Sequence, residues 1–273
     1  MSNIVLSAGV RSNLLQLQQT SDLITSTQTK LATGKRVNSA LDNPINFFTA
    51  QGLSNRASDL TNLLDSMSTA ISTIQAANNG LTSITKLVQS AQALASQAQQ
   101  TSDATVRSGL ASQFNAIKTQ IDQLAGDSGF NGINLLDSTN STNLTVQLNE
   151  RNTSSVTVNA VDTTSSGLAI NNSTNNWADA AAIAVSGTQL TAALTVLRSE
   201  SQTLSANLST VQIRQDFTKA TINTLSNGSA SLTLADSNEE GANLLALQTR
   251  QQLSTTALSL ASQADQNVLR LFQ

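Results

Sequence analysis

The side chains that usually do chemistry are almost missing from these 273 residues. There is no histidine and no cysteine, which removes imidazole bases, thiolate nucleophiles and the usual zinc ligand sets. The closest carboxylate pair is Glu239-Glu240. Adjacent residues on a helix point apart, and acidic side chains are favoured at a helix start, so the pair reads as capping. Lys30, Lys35 and Arg36 form the densest basic spot, read as a solvated helix end. A net charge of −3 leaves no electrostatic footprint for nucleic acid. No Gly-rich phosphate loop and no calcium-loop spacing occurs. Asn140-Ser141-Thr142 has the form of a glycan acceptor, which chance supplies in a chain this rich in such residues. No enzyme activity and no catalytic, cofactor or metal site is expected.

The patterned chemistry is apolar association. Leu17, Ile24 and Leu31 recur at strict seven-residue spacing, with Leu14 and Leu23 beside them. Near the other end Leu253, Ala257, Leu260, Ala264, Val268 and Leu271 step by threes and fours into one helical stripe. Hydrophobic residues are 39% of the chain, charged residues only 11% and aromatics 3%. Roughly 45% is left for Ser, Thr, Asn and Gln, far from an ordinary globule. Such a chain relies on thin Leu/Ala seams between long helices.

The elements that carry these stripes follow from periodicity. A first helix over residues 4–36 ends near Gly34, a left-handed cap candidate. Asn43-Pro44 reads as a chain breaker in a connector anchored by Phe47 and Phe48. From Leu53 to Ala98 threes and fours alternate for about 46 residues, slipping only at Asn78-Asn79-Gly80, on the order of 70 Å of helix. Ser102-Asp103 looks like a cap, followed by Val106, Leu110, Phe114, Ile117, Ile121 and Leu124 on one face. Residues 143–160 switch to period two, a β-hairpin. A Ser/Thr/Asn-rich loop over 162–176 precedes a helix to about Asn227, broken by the "SNGSAS" run. Ser237 with Glu240 fits a capping box for the last helix.

The fold class is therefore mainly α, with long coiled-coil-like helices from both chain ends packed antiparallel and one small β-hairpin. The first partner of the tail stripe is expected to be the helix around Leu17, Ile24 and Leu31. Two lightly charged helices of about 30 residues bury too little alone, so further copies of the chain are the expected neighbours. If the two contacting faces differ, the contact grows an open helical filament. The first 20 residues lack a basic n-region and an apolar h-region, so no cleaved secretory signal is expected. No unbroken run of about 18 apolar residues occurs, so no membrane span is expected either.

Three blocks then carry a resemblance. "LATGKRVNSALDNPINFFTAQGLSNRASDL" (31–60), "GFNGINLLD" (129–137) and the tail "STTALSLASQADQNVLRLF" are together similar to bacterial flagellins, the first most like alphaproteobacterial ones. The resemblance implies a subunit that self-polymerises into the extracellular flagellar filament for swimming. It implies export unfolded through the flagellar type III apparatus, with an export chaperone and a filament cap as partners. By the same analogy residues 1–48 and 230–273 would form the inner-tube domain D0, and 49–229 the surrounding D1, with outer domains absent. Leu17, Ile24, Leu31, Leu253, Leu260, Ala264, Val268 and Leu271 would line the inner-tube seams. Gln92 and Gln113 stand where receptor-activating flagellins carry charged residues, which implies weak agonism of the vertebrate flagellin receptor. Two other readings stay open: a hook–filament junction protein, which shares the terminal regions, and a soluble coiled-coil signalling or adaptor module.

Overall fold

Helix dominates because Ala, Leu and Gln lose little side-chain freedom in a helix. The structure, a computed structural model, describes residues 8–137 and 143–271, except the side chains of 265 and 268–271. The Asn140-Ser141-Thr142 triplet and the side chains of Val268 and Leu271 thus lie outside the described residues. In chain order the elements are α1 (Ala8–Thr33), α2 (Pro44–Gln100), α3 (Ala104–Asp127), β1 (Leu144–Gln147), β2 (Ser155–Val158), a short 3₁₀ turn (Thr174–Trp177), α4 (Ala180–Thr233) and α5 (Ser237–Leu271). The chain divides into two compact units: residues 1–55 with 224–273, and residues 56–223.

In the second unit, α2 buries Leu60, Leu63, Met67, Ala70, Ile74, Ala77, Leu81, Ile84 and Val88. Their spacing of threes and fours is a heptad seam. Hydrogen bonds between α2 and α4 run along it in reverse order: Gln92 Nε2 to Thr191, Ser201 to Asn78, and Gln215 to Ser68. The two helices are therefore antiparallel, and α4 contributes Ile183, Leu190, Leu194, Leu197 and Leu204 to the core. One window of α4 is long and apolar enough on average to cross a membrane, although no unbroken apolar run of that length occurs in it. These five residues face protein instead. The irregular spacing at Asn78-Asn79-Gly80 does not interrupt α2. A Cβ on Gly80 would collide with the Ser128 side chain and Leu136, so glycine there lets the turn after α3 lie against the helix.

The third helix starts on Asp103, whose carboxylate accepts from Thr105 N–H at 2.8 Å and Val106 N–H at 3.3 Å. Leu110, Ala111, Phe114, Ile121 and Ala125 face inward. Val106 does not; it is 45% exposed. Phe114 packs on Trp177, ring centroids 5.0 Å apart, and the Trp177 indole N–H donates to Ser186. The polar loop is tied to α3 by Asn115–Ser173, Lys118–Asn172 and Asp122–Ser165 hydrogen bonds. The hairpin forms as expected, antiparallel with Leu144 opposite Val158 and Val146 opposite Val156.

Three boundary expectations fail for local reasons. Pro44 starts α2 rather than breaking the chain, because a first-turn residue has no intrahelical use for its N–H. Asn43 caps that start, its side chain accepting from Asn46 N–H at 2.9 Å. The "SNGSAS" run does not end α4; Gly228 leaves room for Leu53, and Ser229 Oγ donates to the Ala50 carbonyl. The cap of α5 is Asp236, not Ser237: its carboxylate accepts from Asn238 N–H at 2.8 Å.

Candidate assembly surface

In the first unit α1 and α5 pair antiparallel. The turn between α1 and α2 meets the α4–α5 turn through Arg36 N–H to the Thr233 carbonyl at 2.8 Å and Ala235 N–H to the Gly34 carbonyl at 3.0 Å. Gly34 holds φ +66 there, a conformation costly for any side chain with a Cβ. Just beyond, Lys30 Nζ lies 3.3 Å from Glu240, which fixes the end of α1 beside the start of α5.

On α1 the buried and half-buried positions are Val10, Asn13, Leu17, Thr20, Ile24, Thr27, Lys30 and Leu31; all but Lys30 form a seam of alternating threes and fours. Leu17, Ile24 and Leu31 are thus on it, with threonines between. The Thr20 hydroxyl donates to its own helix, to the Gln16 carbonyl at 2.8 Å. On α5, besides Gly241 in the first turn, the half-buried positions are Glu240, Leu244, Leu247, Gln251, Ser254, Leu258 and Ala261. This is a heptad seam too, but not the stripe read from the sequence. Leu253 is 66% and Leu260 62% exposed, and Ala264 is exposed as well. They sit about 100° round the helix from Ser254 and Ala261. The expected partner helix is right; the expected face is not. Two apolar sets interleave on α5, and α1 takes the one that also pairs Glu240 with Lys30.

The result is a pair with an uncovered flank. A groove of about 490 Å³ opens along it, lined by Leu23, Thr27 and Lys30 from α1 and by Glu239, Glu240, Asn243, Ala246, Leu247 and Arg250 from α5. By helical spacing Leu253, Ala257 and Leu260 continue the α5 side of that flank. Thr249 and Thr256 lie among these leucines and donate their hydroxyls to the Leu245 and Gln252 carbonyls, each at 2.9 Å. Burying a leucine fully is worth about 1.5–3 kcal/mol, and the leucines on the flank forgo most of that in a single copy. Among the described residues no cluster of acidic side chains is placed to hold a metal.

The connector also presents apolar surface: Leu41 is 96%, Ile45 77% and Phe48 64% exposed. Phe48 touches Phe47 edge-on but does not anchor the segment as expected. Asp42 shapes the turn. Its carboxylate accepts from the N–H groups of Ser39 and Asn38, both at 2.9 Å, and from the Ser39 hydroxyl. These bonds, with Lys30 nearby, hold its pKa below 3.8. A lowered pKa means the turn is most stable above that value and loosens as pH falls through the folded-state value. The protection of the Ser39 amide against exchange, relative to an unstructured amide at the same pH, is expected to fall as pH drops through the lowered Asp42 pKa, and Asp42→Asn is expected to abolish that dependence and to show less protection already at neutral pH.

Two long terminal helices left half-dry by their own pairing, with a heptad-built unit between them in the sequence, match known proteins. Residues 8–141 match the bacterial flagellin N-terminal helical region, and residues 187–272 the bacterial flagellin C-terminal helical region. Flagellin FljK of Caulobacter vibrioides is 32% identical over 280 residues, covering 100% of this chain and 99% of that protein. The chain belongs to the bacterial flagellins. Flagellin FljM of the same organism is 31% identical over 274 residues, again covering 100% and 99%. A crystal structure of Bacillus cereus flagellin is 27% identical, with TM-score 0.49, covering 57% of this chain and 88% of that one. As a flagellin it is a structural protein, a subunit that polymerises with its own kind into the extracellular flagellar filament. No outer domain interrupts this flagellin between β2 and α4, where residues 159–179 form only loop and the 3₁₀ turn.

Proposed function

We propose that this flagellin closes into a filament through its paired terminal helices, and that Leu253, Leu260 and Ala264 are covered there by neighbouring subunits. The observation that carries this reading is the exposure of Leu253 and Leu260 in a helix whose other apolar set already faces α1. Val268 and Leu271 extend the same stripe by spacing. Leu17, Ile24 and Leu31 hold the α1–α5 pair within each copy. The assignment of residues 1–48 and 230–273 to D0, and of 49–229 to D1, is supported by the compact units, which part at 55/56 and 223/224.

Secretion unfolded through the flagellar type III apparatus, with an export chaperone and a distal cap, fits this construction. Seams whose positions alternate leucine with Thr, Gln and Ser give a monomer easily threaded, while polymerisation supplies the missing burial. Seeded growth tests the reading: purified subunits given filament fragments should extend them into long filaments under the electron microscope. Short rings would point to a junction protein, and discrete dimers would refute filament assembly.

Recognition by the vertebrate flagellin receptor should be weak. Gln92 is neutral and hydrogen-bonded to Thr191 at 3.5 Å, and Gln113 is exposed and neutral, so neither offers a charge. A receptor reporter assay is expected to give little response; full potency at low dose would refute the assignment.

A further inference from the structure

We infer that the outer face of α1 in one copy docks antiparallel on the uncovered flank of α5 in the next, with Asp22 against Arg250 and Leu15 seated between Leu253 and Leu260. This rests on the self-assembly reading and names the contact within it.

The two faces are complementary in shape. Leu15 and Asp22 stand one heptad apart on the side of α1 roughly opposite Ile24, the middle of its seam. Leu15 is 59% exposed there. On α5, Leu253, Thr256, Ala257 and Leu260 are related as i, i+3, i+4 and i+7, the four-residue hole that accepts a knob in coiled coils. Thr256 and Ala257 flank the centre of the hole, where the small Ala257 side chain deepens the depression, and Leu253 and Leu260 close its two ends.

They are complementary in charge as well. Few charged side chains exist on these helices, and Lys30 and Glu240 already satisfy each other. Asp22 and Arg250 are both exposed, and among the described residues neither has an ion-pair partner in its own chain. Arg250 lies one heptad before Ala257. Seven residues back from Asp22 is Leu15; seven forward from Arg250 is Ala257. One antiparallel placement therefore makes the ion pair and fills the hole together, whereas a parallel placement separates them.

The direction is the one a filament imposes. Within each copy α1 and α5 are antiparallel, and copies related by a helical operator share one orientation, so α1 of one copy meets α5 of the next antiparallel. Because the two faces differ, the contact is heterologous and leaves a free face at each end for further growth.

Charge exchange tests it. Seeded elongation is followed by light scattering for wild type, Asp22→Arg, Arg250→Asp and the double variant, with monomer helicity checked by circular dichroism. Each single variant should elongate on the order of tenfold more slowly, since it opposes like charges. The double variant should return to within a few-fold of wild type. As a second readout that does not depend on the double variant folding, an equal mixture of the two single variants should outgrow either alone, because each supplies the charge the other lacks. Single variants growing like wild type, or a mixture and a double variant no faster than the singles, would overturn the contact. Failure of wild type to grow on seeds would instead overturn the self-assembly reading.

Discussion

Leu260→Asp is expected to leave the monomer folded and to abolish filament growth. Leu260 is 62% exposed in the single chain, so a carboxylate there stays solvated and monomer stability should shift by no more than about 0.5 kcal/mol. In the polymer the same carboxylate would be enclosed by a neighbour's leucine. Enclosing an unpaired charge costs several kcal/mol per subunit, against a contact whose apolar gain at that residue is only about 1.5–3 kcal/mol. Circular dichroism and thermal unfolding should match wild type, export should proceed, and electron microscopy of seeded reactions should show no extension. Leu258 is the control: it is half-buried on the α1 seam, so Leu258→Asp should lower helicity in the monomer itself. Normal filaments from Leu260→Asp would remove the flank from the assembly surface.

Phe114→Ala is expected to destabilise the middle unit by about 3–5 kcal/mol, roughly a fifth or more of the stability of an ordinary domain. The ring is fully enclosed, 0% exposed, and lies 5.0 Å from the Trp177 ring. Its neighbour cannot follow it into the void. Trp177 is held by the hydrogen bond to Ser186 at 3.0 Å and by backbone in the left-handed region at Asn175, Asn176 and Trp177, so the cavity collapses poorly. Trp177 is the sole tryptophan, and a urea titration followed by its fluorescence should show an earlier midpoint. Val106→Ala, at a 45% exposed position on the same helix, should leave the midpoint nearly unchanged.

Much of this architecture was readable from residue order because heptads are redundant. Leu60 to Ala98 repeats the same step so often that a local irregularity such as Gly80 could not hide the helix. Boundaries were less readable. Pro44 and "SNGSAS" are breakers on average, yet both sit where the second neighbour decides: Asn43 supplies a cap for one, and Leu53 fills the space left by Gly228 in the other. The assembly stripe was legible as a stripe but not as an exposed one. Spacing alone cannot say which of two interleaved apolar sets on α5 meets α1, since Leu244, Leu247 and Leu258 compete with Leu253 and Leu260 on equal hydrophobicity. The bridge from Lys30 to Glu240, made by residues 210 positions apart, is what separates them, and such a pairing leaves no local trace.

The threonines on the flank carry a consequence for how a water-loving surface can become an interior. A hydroxyl stripped of water with nothing to bond costs roughly 1–3 kcal/mol. Thr249 and Thr256 avoid that penalty in advance, because each proton already points at a carbonyl of its own helix. What they turn outward is a methyl group and a lone pair. The same patch can therefore be wetted in a solitary molecule and dried in a crowd, with no bond to rearrange between the two.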